Sequence, residues 1–414
     1  MLRREERTRK GGYRRQLGTT SSLIFASPLY ISVFLMRFSF GLVIFTLPLY
    51  IPAREFSNFI VGVIAAAYPV AETVVGPVFG VLVDRLGRRR WIYIGLTISA
   101  AALFAFTLST DVDYLVLVHA VQGIAAAMIV VSALTMVTDI STTKNRGREM
   151  GIYDFANLGG YVVGILAAGI LVRTHSLVAP FYFASALAAI GAVFAFFRVR
   201  EKEPGRRFAP FSPIQIVRLL LTNRHAAAMF PIWLAVTTFI GMALTFGPRL
   251  GPSPLLTSFL IGGVVLILTF TQPFFGHLSD RYGRDKLMML GMLSLIGLFA
   301  TTITMFRRRF GLMYALPFLV IFGLGSFAFA PAALASLGDL APERGRGTTM
   351  GVYSVVISLG TIIGPLLGGY LLDKYGLPSL FYAGLGILMA ALGLAIIIAG
   401  PDFSRLKPLS LRGG

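Results

Sequence analysis

The chain has no cysteine, which excludes disulfides, cysteine-ligated metals and thiol chemistry together. It has four histidines, at 119, 175, 225 and 277, too scattered to build a metal centre. It contains no Gly-x-x-x-x-Gly-Lys-Ser/Thr loop, so ATP-driven pumping has no phosphate cradle. It also lacks His-Glu-x-x-His and the Gly-x-Ser-x-Gly elbow, so an intramembrane hydrolase has no catalytic group. No catalytic residue, metal or cofactor is therefore expected. Charge is scarce as well, at 13% of 414 residues, against 56% hydrophobic residues and a mean hydropathy of +0.78. A soluble chain of that composition could not cover itself with polar surface, and a lipid bilayer removes the need. The net charge of +19 does not imply nucleic acid, because the basic residues lie between apolar runs and not on one polar face.

About 20 apolar residues span a bilayer. The runs predict helices near 26–50, 58–83, 91–108, 114–138, 149–172, 178–197, 226–247, 255–276, 287–306, 312–337, 348–372 and 378–400. The first run follows a basic start, Met1 to Gln16, without a small-residue cleavage site, and reads as a retained helix. The expected fold is an all-α membrane protein with 12 transmembrane helices in two six-helix bundles, 26–197 and 226–400. A tail covers 1–25, a linker 198–225 and a second tail 401–414. Within the linker, Ser212 is placed to cap a short surface helix. With both termini cytoplasmic, 29 of the 37 basic residues fall on the cytoplasmic side, which sets the orientation in the cell membrane. The cluster Arg307–Arg309 runs against that bias.

Two loops say nearly the same thing. Gly80-Val-Leu-Val-Asp84-Arg85-Leu-Gly87-Arg88-Arg89-Arg90 is echoed by Gly276-His-Leu-Ser-Asp280-Arg281-Tyr-Gly283-Arg284-Asp-Lys286. Asp139 to Gly151 likewise matches Asp339 to Gly351, and the helices that follow keep register through Tyr153/Tyr353, Gly160/Gly360, Gly164/Gly364 and Gly169/Gly369. Matching turns between matching apolar runs mark a duplicated membrane protein.

On these loops the chain resembles the major facilitator superfamily of secondary transporters, over essentially its whole length. The resemblance implies two six-helix halves around a central cavity that opens to each side in turn. Two departures stand out. His119 occupies the position four before Gly123 where the family usually has Arg, and the antiporter element of helix 5 is reduced to Gly164-Ile-Leu-Ala-Ala-Gly169. It stands intact in the eleventh helix as Gly364-Pro365-Leu-Leu-Gly368-Gly369. The resemblance also implies a cytoplasmic gate, in which Asp84 meets the start of the eleventh helix near Gly347. Asp139, Arg85, Arg88, Arg146, Asp339 and Arg346 surround it, and Asp280, Arg281 and Arg284 form the second copy. Gly80 and Gly276 are expected to let a neighbouring helix come close. An anion at a helix N-terminus is worth roughly 0.3–1 kcal/mol exposed and up to about 2 when partly buried, a suitable size for a latch that opens every cycle. Gly160, Gly164, Gly360, Gly364, Pro365, Gly368 and Gly369 are expected to serve close packing and bending.

The duplication fails at four positions. Arg37, Glu72, His119 and Asp154 are ionisable and lie within predicted helices, yet their mates are Thr237, Leu268, Leu319 and Ser354. A charge at mid-bilayer costs about 2.5–3.5 kcal/mol on insertion scales, so these are the candidate site residues. Arg37 and Glu72 both lie roughly 15–17 Å from the cytoplasmic edge and are expected to meet. Low dielectric favours a neutral carboxyl and a neighbouring guanidinium the charged one, so Glu72 is placed to exchange a proton or to form a static ion pair. His119 is read as a proton relay or a packing residue. Asp154, with Asn157 one turn on, is read as lining the inner mouth or as a hydrated helix start.

Transport of a small molecule follows, with a monomer as the working unit. Proton-coupled efflux of amphipathic or cationic compounds is the leading expectation. Uptake of an organic anion held by Arg37 is the alternative within transport. A non-transporting receptor or lipid-handling protein on the same fold is the alternative outside it.

Overall fold

A computed structural model of the chain describes residues 27–51, 56–140, 146–201, 224–308, 311–340 and 346–399. The expected surface helix at Ser212 and both tails lie outside these residues. The described residues form α1 (Ser27–Tyr50), α2 (Asn58–Leu86), α3 (Arg89–Ala105), α4 (Val112–Ile140), α5 (Arg146–Thr174), α6 (Ala179–Arg198) and α7 (Arg224–Leu250). They continue through α8 (Pro254–Tyr282), α9 (Arg284–Arg308), α10 (Leu312–Ser326), α11 (Phe329–Leu340), α12 (Arg346–Tyr375) and α13 (Pro378–Ala399). Among the described residues, eleven spans are long and apolar enough to cross a membrane. The 17 residues of α3 make a twelfth at the short end of the workable range. The tenth span, Met313–Ala333, is broken at Phe327 and Ala328, whose amides bond Leu324 and Gly325 three residues back. Pro331 explains the break, since its ring can neither donate to nor fit against the Phe327 carbonyl.

The contacts gather the chain into two compact units, 1–47 with 71–207 and 254–262, and 48–70 with 208–253 and 263–414. In the first, α3 packs on α4 and α6, with Phe79 edge-on to Trp91 at 5.3 Å. In the second, α7 packs on α12 and α13, and α9 on α10, α11 and α13. Trp233, Met288, Met292, Phe299 and Phe329 form its buried core. The outer layer is apolar too. Met313 is 85% and Ile397 78% exposed, an arrangement only a lipid solvent makes favourable.

Helices come closest at glycine. In the first unit, a Cβ at Gly164 would overlap the Phe38 carbonyl oxygen and lie 2.7 Å from the Gly41 Cα. A Cβ at Gly160 would lie 2.5 Å from the Phe34 carbonyl oxygen. The second unit repeats the crossing between α7 and α12. There a Cβ at Gly364 would overlap the Thr238 carbonyl oxygen, and one at Gly360 the Thr237 hydroxyl. Gly368 lies against Phe246. Lipid tails are as apolar as leucine, so close backbone packing supplies the association that exclusion from water supplies elsewhere.

Gly164→Leu is expected to force α1 and α5 apart and cost about 1–3 kcal/mol. Thermal unfolding in nanodiscs checks this. Gly386→Ala, where nothing lies within 4 Å of the added carbon, leaves the midpoint unlowered.

Candidate functional site

The α1–α5 crossing sets the site. Because Gly160 sits against the backbone of α1 beside the Arg37 Cβ, Asn157 comes level with the Arg37 guanidinium. Arg37 Nε donates to Asn157 Oδ1 at 2.5 Å, and its guanidinium lies 5.8 Å from the Phe40 ring centre. Glu72 of α2, half-buried, lies within Coulombic reach of Arg37. Tyr153 and Tyr161 lie one turn before and one turn after Asn157 on α5 and feel the charges of both Arg37 and Glu72. Tyr161 also tilts against Phe40 at 5.5 Å. The structure thus bonds Arg37 to Asn157, sets Glu72 within Coulombic reach, and adds two tyrosines that ion-based reading passed over. Their i, i+4, i+8 spacing around Asn157 was the available signal. Asp154 is exposed beside Tyr153 and feeds its charge into that ring's surroundings. His119 is buried elsewhere in the unit, edge-on to Phe106 at 5.7 Å, with Phe106 packed in turn on Phe181.

The same crossing in the second unit carries no charge. At the position of Arg37 stands Thr237, whose hydroxyl bonds the Trp233 carbonyl of its own helix at 2.8 Å. At the position of Asn157 stands Ile357, packed on the apolar core.

The two repeat loops also differ. Gly87 and Gly283 take φ of +86° and +101°, a left-handed turn that glycine adopts without penalty, so both loops reverse direction in one residue. In the first loop Arg88 is buried and pairs with Asp139 at 3.2 Å and Glu201 at 3.6 Å. Glu201 also accepts the backbone amides of Arg88 at 2.8 Å and Arg89 at 3.3 Å, capping the start of α3. Glu201 lies just beyond α6, and reading loop against loop passed it over. In the second loop Asp280 is exposed and pairs with Arg284 at 2.5 Å within its own turn, while Arg281 lies over Tyr282. Pro401 stands where a mate of Glu201 would fall, so the acid of the first loop is not repeated in the sequence. The side chains of Asp84, Arg85, Arg146, Asp339 and Arg346 lie outside the described set, as does the expected contact at Gly347. A Cβ at Gly80 or Gly276 would meet nothing within 4 Å among the described residues.

The family model for the Major Facilitator Superfamily matches residues 29–249 and 226–411. Multidrug resistance protein 2 of Bacillus subtilis (strain 168) is 25% identical, over 88% of this chain and 93% of its own length. Quinolone resistance protein NorA of Staphylococcus aureus (strain MSSA476) is 24% identical, over 89% and 95%. Among solved structures, a bacterial homolog to the human lysosomal transporter Spinster, inward-facing and unoccupied, superposes with a TM-score of 0.72 at 16% identity. That superposition covers 92% of this chain and 96% of the other. The nucleoside transporter NupG superposes with a TM-score of 0.68 at 18% identity, over 90% and 98%.

Glu201→Ala is expected to destabilise the chain by about 1–3 kcal/mol, because it strips a helix cap and leaves buried Arg88 short of an acceptor. Glu201→Gln, which keeps an acceptor oxygen, loses less. Asp280→Ala, breaking an exposed pair, costs under about 1 kcal/mol. The order of the three thermal midpoints is the check.

Proposed function

The chain belongs to the major facilitator superfamily of multi-pass membrane transporters, and from that premise we propose that it exports amphipathic or cationic small molecules in exchange for protons. The Arg37–Asn157–Glu72 cluster carries the reading. One carboxylate in the membrane interior can hold either a proton or a cation but not both, which couples the two flows in opposite directions. Arg37, fixed by Asn157, is the charge against which Glu72 ionises, and it weakens the hold on a cation enough to let it leave. Phe40, Tyr153 and Tyr161 supply ring faces that attract cations without a second fixed charge. Asp154, exposed on α5, collects cations at the mouth. The names of the multidrug and quinolone resistance relatives agree with this substrate class. Alternating access from the cytoplasm, with both termini inside and a monomer as the unit, completes the proposal.

In proteoliposomes, Glu72→Gln is expected to lower pH-gradient-driven flux of a lipophilic cation at least about tenfold, while binding of the same cation weakens less. Parental coupled flux in that variant removes Glu72 from the mechanism. A thermal-shift panel separates substrate classes. Stabilisation by lipophilic cations supports export, and stabilisation by organic anions instead supports uptake at Arg37.

A further inference from the structure

At the end of α2 farthest from Gly87, four helix ends are tied by charge inside the second unit. Asp373, two residues before the end of α12, accepts the backbone amides of Asn58 and Phe59 and the Asn58 side-chain amide, each at 2.9 Å. These are the otherwise unbonded first amides of α2, and an anion there is favoured by the helix dipole. Arg249, at the end of α7, donates to the Pro48 carbonyl and, at 2.6 Å, to the Ile51 carbonyl where α1 finishes. It also reaches Asn58 Oδ1 at 3.4 Å. A cation thus sits on one helix C-terminus and an anion on the next helix N-terminus, with Asn58 touching both. Glycine brings the helices within range. A Cβ at Gly62 would overlap the Pro365 carbonyl oxygen, and one at Gly369 the Asn58 carbonyl oxygen.

The repeat supplies an internal comparison. In the first unit Gly169 of α5 lies under Pro254 and Ser258 of α8, as Gly369 of α12 lies under Asn58 and Phe59 of α2. The backbone crossing is therefore present twice. Its lock is not. Arg173 stands where Asp373 would be, and α8 opens on Pro254, which has no amide hydrogen to cap.

We propose that Asp373 and Arg249 form a polar latch that holds these four helix ends together, and that it must break for them to part. It joins helices of the first half, α1 and α2, to helices of the second, α7 and α12, so rocking the halves apart breaks all of its bonds together. The Asp373 bonds are exposed and those of Arg249 part-buried, so water replaces the Asp373 bonds at small net cost, which suits a contact that is broken in every cycle. The latch is independent of the proton and substrate chemistry proposed above.

Hydrogen exchange of the full chain in nanodiscs tests it, comparing the parent with Asp373→Asn, Asp373→Ala and Arg249→Gln. Loss of a capping contact is expected to speed exchange in the first turn of α2 about fivefold or more. A latch that holds the four ends also raises exchange across 362–368, residues of the same unit around the Gly62–Pro365 contact. Acceleration confined to the start of α2 shows a local cap only and overturns the proposal, as does unchanged exchange. If Asp373→Ala folds poorly, Asp373→Asn and Arg249→Gln decide, since each keeps the side chain's bulk.

Discussion

Close contact between helix backbones at glycine is the constraint on which the other features of this protein depend. In lipid, leucine gains nothing by leaving the solvent, so helices are held by van der Waals contact and by polar bonds made at short range. The pairs Gly41/Gly164 and Gly241/Gly364 let α1 meet α5 and α7 meet α12 at backbone distance. Once there, the residue two turns away is delivered to a fixed place. On α5 that residue is Asn157, and it reaches Arg37. On α12 it is Ile357, and it joins an apolar core.

Two copies of one scaffold have thus been put to different uses. The α1–α5 crossing carries a guanidinium, a carboxylate from α2 and two phenols, while its twin keeps a hydroxyl folded back on its own helix. The α12–α2 crossing carries an acid on helix amides, while its twin offers Arg173 and a proline. The first loop has a buried arginine held by two acids, while the second has an exposed pair within one turn. Charge in low dielectric is expensive, so each crossing carries it where it has a task and omits it where the scaffold alone suffices.

The fold was legible because bilayer thickness ties span length to apolar run length, and because duplicated loops count the halves. The break in the tenth span was less plain, since Pro331 lies within an otherwise continuous apolar run and prolines elsewhere, such as Pro273 in α8, leave their helices unbroken. Arg37 and Glu72 stood out as charges without mates. Tyr153 and Tyr161 did not, because a tyrosine in a helix is unremarkable until its neighbours carry charge. Glu201 was hidden differently: its role is to accept the amides of Arg88 and Arg89, more than a hundred positions earlier, and no local pattern marks such a partner.

By itself the sequence determined which residues must lie in lipid, that the chain is built twice, and which ionisable groups break the symmetry. Hydropathy and repetition are properties of the chain in order, and they need no folding to be read. The tertiary structure alone decided which of those groups meet: Arg37 with Asn157, Glu201 with the start of α3, Asp373 with the start of α2. Bond partners depend on helix rotation and crossing distance, and both are set by how one glycine surface seats on another.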